Sequence, residues 1–481
     1  MTANTVSAAA AEDGRVRPTF PGSSQLPVTS SWWTAVVVAT GGSLMVTVAI
    51  GPMAVEIGNV AVWVLIVTAA IGGLQCLLVA ELATRFPGRA GGTPQYAYRA
   101  VRGGSHSVGA LSAWCYWFAW TPGIAVNLIL AATYLKAVLW PAVNPLLLAC
   151  LIGAALYLVT ALGLRLSTVV SSVLALVAVG VLVVIIAGPA IRPGVFHLGE
   201  VFPTALPASA PQDFGSVLGL ILKWAFVATW SSYVAEMAST VCAEIRRPGR
   251  HMARAMSVSA VVCVIVFSAV PIALFGLVGV QGIQQDPFEV FATAGGIVLG
   301  PDGRLLVGLG LAAVLVLGAE VFIIGSSRTI YQMAQDGHLP RIFAKINRWG
   351  APVGSIAWDA VVIGVMLLVF GTQVVSVVAA ANVGYLIVFV LLPIAYLMLR
   401  RHPGGNPEGL RLGRPFVAVA VLLLLFNAVL LVFGGAQWGL QVVLVGLGVS
   451  LLILPISMIT RRLGGGRRVD VAEPEPLVSQ A

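Results

Sequence analysis

Residues 81–100 read ELATRFPGRAGGTPQYAYRA and directly follow a long apolar run. The stretch holds three glycines, two prolines, three arginines and one glutamate. Pro87, Gly91, Gly92 and Pro94 prevent a continuous helix, so we expect the backbone to bend between them. The fold that the sequence predicts depends on where this bend lies relative to the apolar runs of the chain.

The composition of the whole chain is typical of a polytopic membrane protein. Of its 481 residues, 59% are hydrophobic and only 9% are charged, and the mean hydropathy is +0.98. A soluble domain has about 25% charged residues. The net charge of +9 would fit a nucleic-acid partner only if the basic residues were clustered on a soluble face, and their distribution along the chain argues against this.

Twelve apolar runs are long enough to cross a bilayer as helices, which requires roughly 20 residues each. They cover residues 32–52, 60–83, 107–135, 143–162, 168–191, 215–242, 254–280, 303–333, 354–371, 374–399, 415–434 and 437–459. The runs are too long for β-strands and do not alternate in polarity. We therefore predict an all-α polytopic membrane protein with 12 transmembrane helices.

The basic residues set the predicted topology. With the amino terminus and every even-to-odd loop on the cytoplasmic side, 23 of the 27 lysines and arginines lie on that side. We therefore expect a multi-pass protein of the plasma membrane, and the positive-inside rule predicts that both of its termini lie in the cytoplasm. Residues 1–30 and 461–481 are expected to be cytoplasmic tails, the first of them disordered. No nucleic-acid partner is needed to explain the charge.

This topology places residues 81–100 at the cytoplasmic end of the second span. Non-helical backbone survives at that depth only where protein or a water-filled cavity covers it. We therefore expect the stretch to line the cytoplasmic mouth of a pathway as an inner gate. Its predicted gate residues are Glu81, Arg85, Gly91 and Gly92, of which Glu81 and Arg85 have the spacing of a helical ion pair.

Ionisable residues within spans are costly and often functional. Glu236 lies in the sixth span and Glu320 in the eighth, and either is a candidate for proton coupling or gating. The alternative for both is a neutral carboxyl that hydrogen-bonds to a neighbouring helix. Asp359 lies near the cytoplasmic end of the ninth span, and we expect it to be interfacial.

Two spans contain sequences that favour a broken helix. Residues 39–47 read ATGGSLMVT in the first span, and residues 228–236 read ATWSSYVAE in the sixth. Broken helices at matching positions of two halves indicate a substrate site near the bilayer midplane. The alternative is that these small residues only allow close packing between helices.

Three blocks resemble the amino acid–polyamine–organocation permeases. They are residues 81–100, residues 242–256 (CAEIRRPGRHMARAM) and residues 326–357 (SSRTIYQMAQDGHLPRIFAKINRWGAPVGSIA). The resemblance covers about residues 32–400. It implies a LeuT-like five-plus-five inverted repeat over a core at 31–400, with repeats at about 31–191 and 215–400. Two additional carboxyl-terminal helices would then occupy 401–460.

The resemblance also implies a substrate site between the first, sixth and eighth spans. Carried over position by position, its residues are Gly41, Gly42, Ser43, Met45, Thr47, Trp230, Ser231, Ser232 and Phe322. The chain departs from the family at Met45–Thr47, where most relatives have Gly-Ser-Gly, and at Val234, where they have Gly. Both changes add side chains where relatives expose backbone, so the family's mode of carboxylate capture does not carry over to this chain from the resemblance.

These observations predict a secondary active transporter for amino acids or related amines. It would work by alternating access, with coupling either to protons or to exchange of a counter-substrate. No catalytic motif is present, which argues against an enzyme, and no cofactor or metal is implied. The alternative is a non-transporting membrane protein, such as a channel or a nutrient sensor. The sequence leaves the oligomeric state open.

Overall fold

The computed structural model describes residues 25–43, 50–101, 106–370, 374–401 and 409–463. The predictions for Met45, for Thr47 and for most of both tails lie outside these residues. The side chain of Ser43 also lies outside them.

The described residues form α-helices that we number in chain order. They are α1 (Trp32–Ser43), α2 (Ile50–Ile57), α3 (Val60–Arg85), α4 (Pro94–Ala100), α5 (His106–Val138), α6 (Pro145–Ala161), α7 (Leu164–Ile191), α8 (Phe214–Ser232), α9 (Pro248–Gln285), α10 (Val290–Leu299), α11 (Pro301–Gln335), α12 (Val353–Phe370), α13 (Val374–Arg400), α14 (Pro415–Val429), α15 (Leu440–Leu451) and α16 (Ile453–Leu463). A 3₁₀ helix at Val234–Glu244 follows α8, and a single π-helical turn at Leu430–Gly434 follows α14.

Every predicted apolar run overlaps at least one described helix, and α4 and α10 lie between runs. Within the described residues, nine helices are long and apolar enough to cross a membrane, and three shorter apolar helices lie at Pro145–Ala161, Val290–Leu299 and Val353–Val369. The chain is therefore an all-helical, multi-pass membrane protein. The count of twelve spans and the inverted repeat stay predictions.

The helices differ in how much of their surface faces the surroundings. Pro301–Gln335 is buried over most of its length, whereas Pro415–Gly434 and Leu440–Leu463 are exposed over most of theirs. Apolar side chains exposed on a membrane helix face lipid. The two carboxyl-terminal helical segments therefore lie at the periphery of the bundle, and α11 lies at its centre.

The predicted interruption in the sixth span is a change of helix type. The α-helix ends at Ser232, Tyr233 follows with φ −87° and ψ −9°, and the chain continues as the 3₁₀ helix Val234–Glu244. A 3₁₀ helix of 11 residues is uncommonly long, and it forms the carboxyl-terminal part of the sixth span. The backbone thus stays helical across the interruption but changes its pitch and side-chain register.

The bend predicted within residues 81–100 is confirmed. The helix α3 ends at Arg85, and α4 begins at Pro94. Between them Gly91 and Gly92 have φ values of 85° and 75°, a left-handed conformation that only glycine adopts without strain. Proline is favoured at the first position of a helix, where its missing N–H is not needed.

The Asp359 side chain is enclosed by neighbouring helices and does not reach the protein surface, so the expectation of an interfacial side chain is not met. Its side chain is fully buried on α12 and accepts hydrogen bonds from Trp117 Nε1 (2.8 Å), the Tyr157 hydroxyl (3.1 Å) and the Ser326 hydroxyl (2.7 Å). These donors come from α5, α6 and α11. They replace the water that a carboxylate would otherwise need, which allows it to be buried.

Candidate functional site

Glu236 lies at the start of the 3₁₀ helix, three residues after the change of helix type. Its carboxyl is fully buried and accepts hydrogen bonds from the hydroxyls of Thr93, Tyr116 (2.8 Å) and Tyr385 (3.4 Å). The three donors come from the loop before α4, from α5 and from α13. A hydroxyl can donate or accept, so the same partners suit a charged or a protonated carboxyl. Glu236 can therefore exchange a proton without losing its hydrogen bonds.

A cluster of aromatic rings contacts this carboxyl site. The predicted substrate residues Trp230 and Phe322 lie together, with ring centroids 5.6 Å apart. Trp120 on α5 joins them, at 6.1 Å from Trp230, 4.9 Å from Phe322 and 4.6 Å from Tyr385. The Trp230 indole N–H donates to the carbonyl of Ala119 at 2.8 Å, which fixes the orientation of its ring. All of these rings are buried, so the site is closed to solvent.

The predicted glycines of the first span are in close contact with the neighbouring elements. A Cβ at Gly41 would lie 2.7 Å from Val321 Cγ2 on α11, and a Cβ at Gly42 would lie 2.3 Å from Val234 Cγ2. The side chain of Val234 thus packs directly against α1. The first and sixth spans are therefore in contact at the position where the site is predicted.

The two predicted serines are buried at the end of α8. The Ser231 hydroxyl donates to the carbonyl of Ala228 at 3.2 Å, within its own helix. The carbonyl of Ser232 accepts from Cys263 Sγ at 3.3 Å. This places Ser232 against α9, on the side of the span away from the Trp230 ring contacts.

Glu320 has a different environment from Glu236. It is fully buried on α11 and accepts from the Thr160 hydroxyl of α6 at 3.1 Å. Within the part of the chain that the structure describes, the donors to Glu320 and to Glu236 are different residues. Across the described ranges, no group of three or more His, Cys, Asp or Glu side chains is arranged to hold a metal ion.

The predicted gate residues fall into two groups. Gly91 donates its N–H to the carbonyl of Thr240 at 3.2 Å, and a Cβ at Gly92 would lie 2.8 Å from Thr240 Cγ2. Both glycines therefore dock on the 3₁₀ helix, next to Thr93 and its bond to Glu236. The loop predicted as a gate thus reaches the central carboxyl.

Glu81 and Arg85 lie apart from these glycines, at the end of α3. Glu81 accepts hydrogen bonds from the Tyr396 hydroxyl (2.8 Å) and the Leu412 N–H (3.1 Å), with Arg400 Nε at 3.7 Å. These partners belong to the end of α13 and the segment before α14. Arg85 lies over the Phe86 ring at 5.3 Å. Glu81 therefore joins the end of α3 to the junction of α13 and α14.

Two ion pairs join α11 to its neighbours, and the sequence did not indicate either of them. One holds the loop between α3 and α4, and the other holds the 3₁₀ helix. Arg89 contacts Asp336 at 2.7 Å, and Asp336 also accepts from Gln95 at 3.1 Å. Burial raises the pKa of the Asp336 carboxyl, and the Arg89 charge opposes this shift. Arg328 contacts Glu244 at 3.0 Å, with both side chains buried.

A histidine pair lies beside these contacts. His338 Nδ1 is 3.2 Å from His106 Nε2, and the Tyr98 ring packs edge-on against His338 at 5.6 Å. Burial lowers the pKa of His338 to about 3, so its imidazole stays neutral near neutral pH.

Several site residues were missed by the sequence analysis. Tyr116, Trp120 and Gly123 are spaced i, i+4 and i+7 on α5, so they share one helix face, and this spacing could have indicated a lining surface. A Cβ at Gly123 would lie 2.5 Å from the Trp230 ring. Thr93 and Tyr385 carry no comparable signal, because only the tertiary fold brings them to Glu236.

Comparison with known proteins identifies the family. The amino acid permease family matches residues 31–454. The chain is 25% identical over 337 residues to the uncharacterized amino acid permease YvbW of Bacillus subtilis, covering 66% of this chain and 73% of that one. It is 26% identical over 286 residues to the branched-chain amino acid permease BcaP of Lactococcus lactis (57% and 54% covered). It is 25% identical over 284 residues to the lysine-specific permease LysP of Escherichia coli (54% and 55% covered).

These alignments span about half the length of BcaP and of LysP, and more of YvbW. The family match, by contrast, covers nearly the whole chain, including the three blocks that carried the resemblance. That resemblance is therefore confirmed. The chain is a membrane-spanning protein that belongs to the amino acid permease family.

Proposed function

We propose that the protein is a secondary active transporter that moves amino acids or related amines by alternating access. The observation that carries this proposal is the set of hydrogen bonds at Glu236. A single buried carboxyl is bonded to the loop at Thr93, to α5 at Tyr116 and to α13 at Tyr385. A change in its charge or in the ligand beside it acts on three elements at once, which suits a transporter that must open and close.

We propose that Glu236 carries the coupled proton. A protonated carboxyl is far less costly to bury than a charged one, so proton release favours a state in which water reaches the site. We call the segment between α3 and α4 the gate loop. Its residue Thr93 would lose its hydrogen-bond partner Glu236 in that state. Gly91 and Gly92 contact the same 3₁₀ helix that carries Glu236. Their contacts with that helix would therefore break together with the bond between Thr93 and Glu236.

The substrate is proposed to bind between Trp230, Phe322 and Trp120, beside Gly41 and Gly42. The relatives are named for branched-chain amino acids and for lysine, so their names agree on an α-amino acid and differ on its side chain. Val234 fills space next to Gly42 that a glycine would leave open. We therefore propose that this protein holds the amino and carboxylate groups of its substrate differently from relatives that have glycine at this position.

Uptake into proteoliposomes tests the transport proposal. The purified protein would be assayed with labelled amino acids and amines, with and without a pH gradient or internal counter-substrate. Saturable flux of at least one compound is expected. Binding without flux would instead favour a sensor, and non-saturable flux along the gradient would favour a channel.

Glu236→Gln tests the proton carrier. The amide keeps the size of the side chain and still accepts from Tyr116, but it cannot exchange a proton at neutral pH. We expect the variant to lose the pH dependence of uptake while still exchanging labelled for unlabelled substrate. Glu320→Gln is the matched control, because it removes the other buried carboxyl of the central helices. If the Glu236 variant keeps the wild-type pH profile and the Glu320 variant loses it, Glu320 is the carrier.

A further inference from the structure

Asn427 is the only polar residue of α14, whose sequence is PFVAVAVLLLLFNAV. Its side chain is fully buried, whereas Leu422 and Leu425 of the same helix are 65% and 57% exposed. A helix that faces lipid on most of its surface thus directs one amide into the bundle. Polar side chains are costly within a membrane unless they are bonded, so such a residue has a specific partner.

The partner of Asn427 is the residue at which the sixth span changes helix type. The Tyr233 hydroxyl donates to Asn427 Oδ1 at 2.9 Å, and Asn427 Nδ2 donates to the carbonyl of Phe389 at 3.0 Å. Both ends of the amide are therefore used, one towards the sixth span and one towards α13. Asn427 joins these two elements to α14.

Tyr233 is held on its other sides as well. Its ring lies 4.9 Å from the Phe389 ring and 6.4 Å from the Tyr385 ring. The helix α3 also approaches this residue closely, since a Cβ at Gly72 would lie 3.0 Å from Tyr233 Cδ1 and 2.4 Å from the carbonyl of Ser232. The hydroxyl bond to Asn427 therefore completes an enclosure that sets the rotation of the ring.

The orientation of the Tyr233 ring affects the site at Glu236 in two ways. Tyr233 immediately precedes the 3₁₀ helix that carries Val234 and Glu236. Its neighbour Tyr385 donates a hydrogen bond to Glu236. A shift of Tyr233 would move the backbone on one side of the carboxyl and the Tyr385 donor on the other.

We propose that Asn427 is a positioning residue for transport, which holds Tyr233 and thereby the geometry of the substrate and proton site. The helix α14 lies outside the predicted inverted repeat, so this gives the carboxyl-terminal pair a part in the transport cycle. This inference rests on the proposed function, because it concerns how well the same site binds and transports its substrate. It requires no contact between Asn427 and the substrate.

The bond can be removed from either end. Asn427→Leu keeps a similar volume and is favourable in a bilayer, and Tyr233→Phe removes only the hydroxyl. We expect each variant to raise the KM for uptake about threefold, the usual size of one polar contact between membrane helices. The double variant should match either single variant, because the same bond is lost. Ser450→Ala, which changes a buried polar residue of α15, is the control and should keep the wild-type KM.

A second measurement needs no substrate. Cys263 is fully buried, and its thiol donates to the carbonyl of Ser232, next to Tyr233. In a background in which the other four cysteines are replaced, its alkylation by a membrane-permeant maleimide reports the opening of this junction. Asn427→Leu and Tyr233→Phe should both increase the labelling rate, and Ser450→Ala should not.

The outcomes separate the inference from the proposed function. If the wild-type protein transports and both variants keep its KM and its labelling rate, Asn427 has no positioning role. The same conclusion follows if the variants only lower thermal stability. If the wild-type protein shows no saturable flux, the transport proposal fails, and faster labelling in both variants still supports a junction held by Asn427. Should Asn427→Leu not fold, Tyr233→Phe tests the same bond.

Discussion

Gly42→Ala is the substitution for which the structure makes the sharpest prediction. The new Cβ would lie 2.3 Å from Val234 Cγ2, 3.1 Å from its Cγ1 and 3.3 Å from its Cβ. Rotation of the Val234 side chain can turn its hydrogen towards Gly42, but its Cβ stays 3.3 Å away, and a β-branched side chain has one strongly preferred rotamer in a helix. Full relief of the contact therefore requires movement of the backbone of α1 or of the 3₁₀ helix, the two elements that we propose to border the substrate.

The cost of this overpacking is about 1–3 kcal/mol in the free energy of unfolding. Val234→Ala alone removes buried methyl groups worth roughly 1–2 kcal/mol. In the double variant the methyl group introduced at position 42 occupies space that the valine side chain has left. We therefore expect the double variant to be destabilised by less than the sum of the two single variants, with a coupling of about 1–3 kcal/mol.

Denaturant unfolding in detergent measures these differences, and uptake assays follow the function. Gly180→Ala is the matched control, because Gly180 also lies within a helix and a Cβ there would meet nothing within 4 Å. Alanine is a better helix former than glycine by about 1 kcal/mol, so the control should be neutral or stabilised. Gly42→Ala should lose substrate affinity, and Val234→Ala should restore part of it.

The reasoning would be refuted if Gly42→Ala were as stable as Gly180→Ala. It would also be refuted if the effects of the Gly42 and Val234 variants were simply additive. Either result would mean that the first span does not press against the 3₁₀ helix, and that the predicted site is not closed by this contact.

Two further predictions concern the contacts around the gate loop. Arg328→Met leaves Glu244 buried without its partner and should cost about 3–5 kcal/mol of unfolding free energy, whereas adding Glu244→Gln should recover part of that loss in the same denaturant assay. Because the His338 pKa is lowered to about 3 from an unfolded value of about 6.5, the unfolded state binds more protons between these values, and stability should fall as the pH drops below 6.5. The loss attributable to His338 should reach about 2 kcal/mol at pH 5, and His338→Gln should flatten the stability profile measured from pH 7 to pH 5; an unchanged profile would contradict this.

The membrane class of the protein and the placement of its helices could be predicted from local features. An apolar run long enough to cross a bilayer must satisfy its backbone internally, so its sequence alone determines that it is helical. The bend at Gly91, Gly92 and Pro94 could be predicted for the same kind of reason, since φ preferences are a property of the residue itself.

The candidate site was only partly predictable. Trp230 and Phe322 were inferred from family likeness, and they do lie together. Trp120 was missed although it shares one helix face with Tyr116 and Gly123, because that spacing does not show whether the face meets lipid or another ring. Asp359 was misplaced because its position near the end of a span says nothing about the donors that neighbouring helices supply.

The sequence by itself determined which segments are helices, where they bend and which residues are costly to bury, because these depend on each residue and its near neighbours. Only the tertiary structure decided what those buried groups contact. Thr93, Tyr116 and Tyr385 reach Glu236 from three separate elements, and Asn427 reaches Tyr233 from a fourth. Such contacts join residues far apart in the chain, so they arise from packing among helices, which no local pattern encodes.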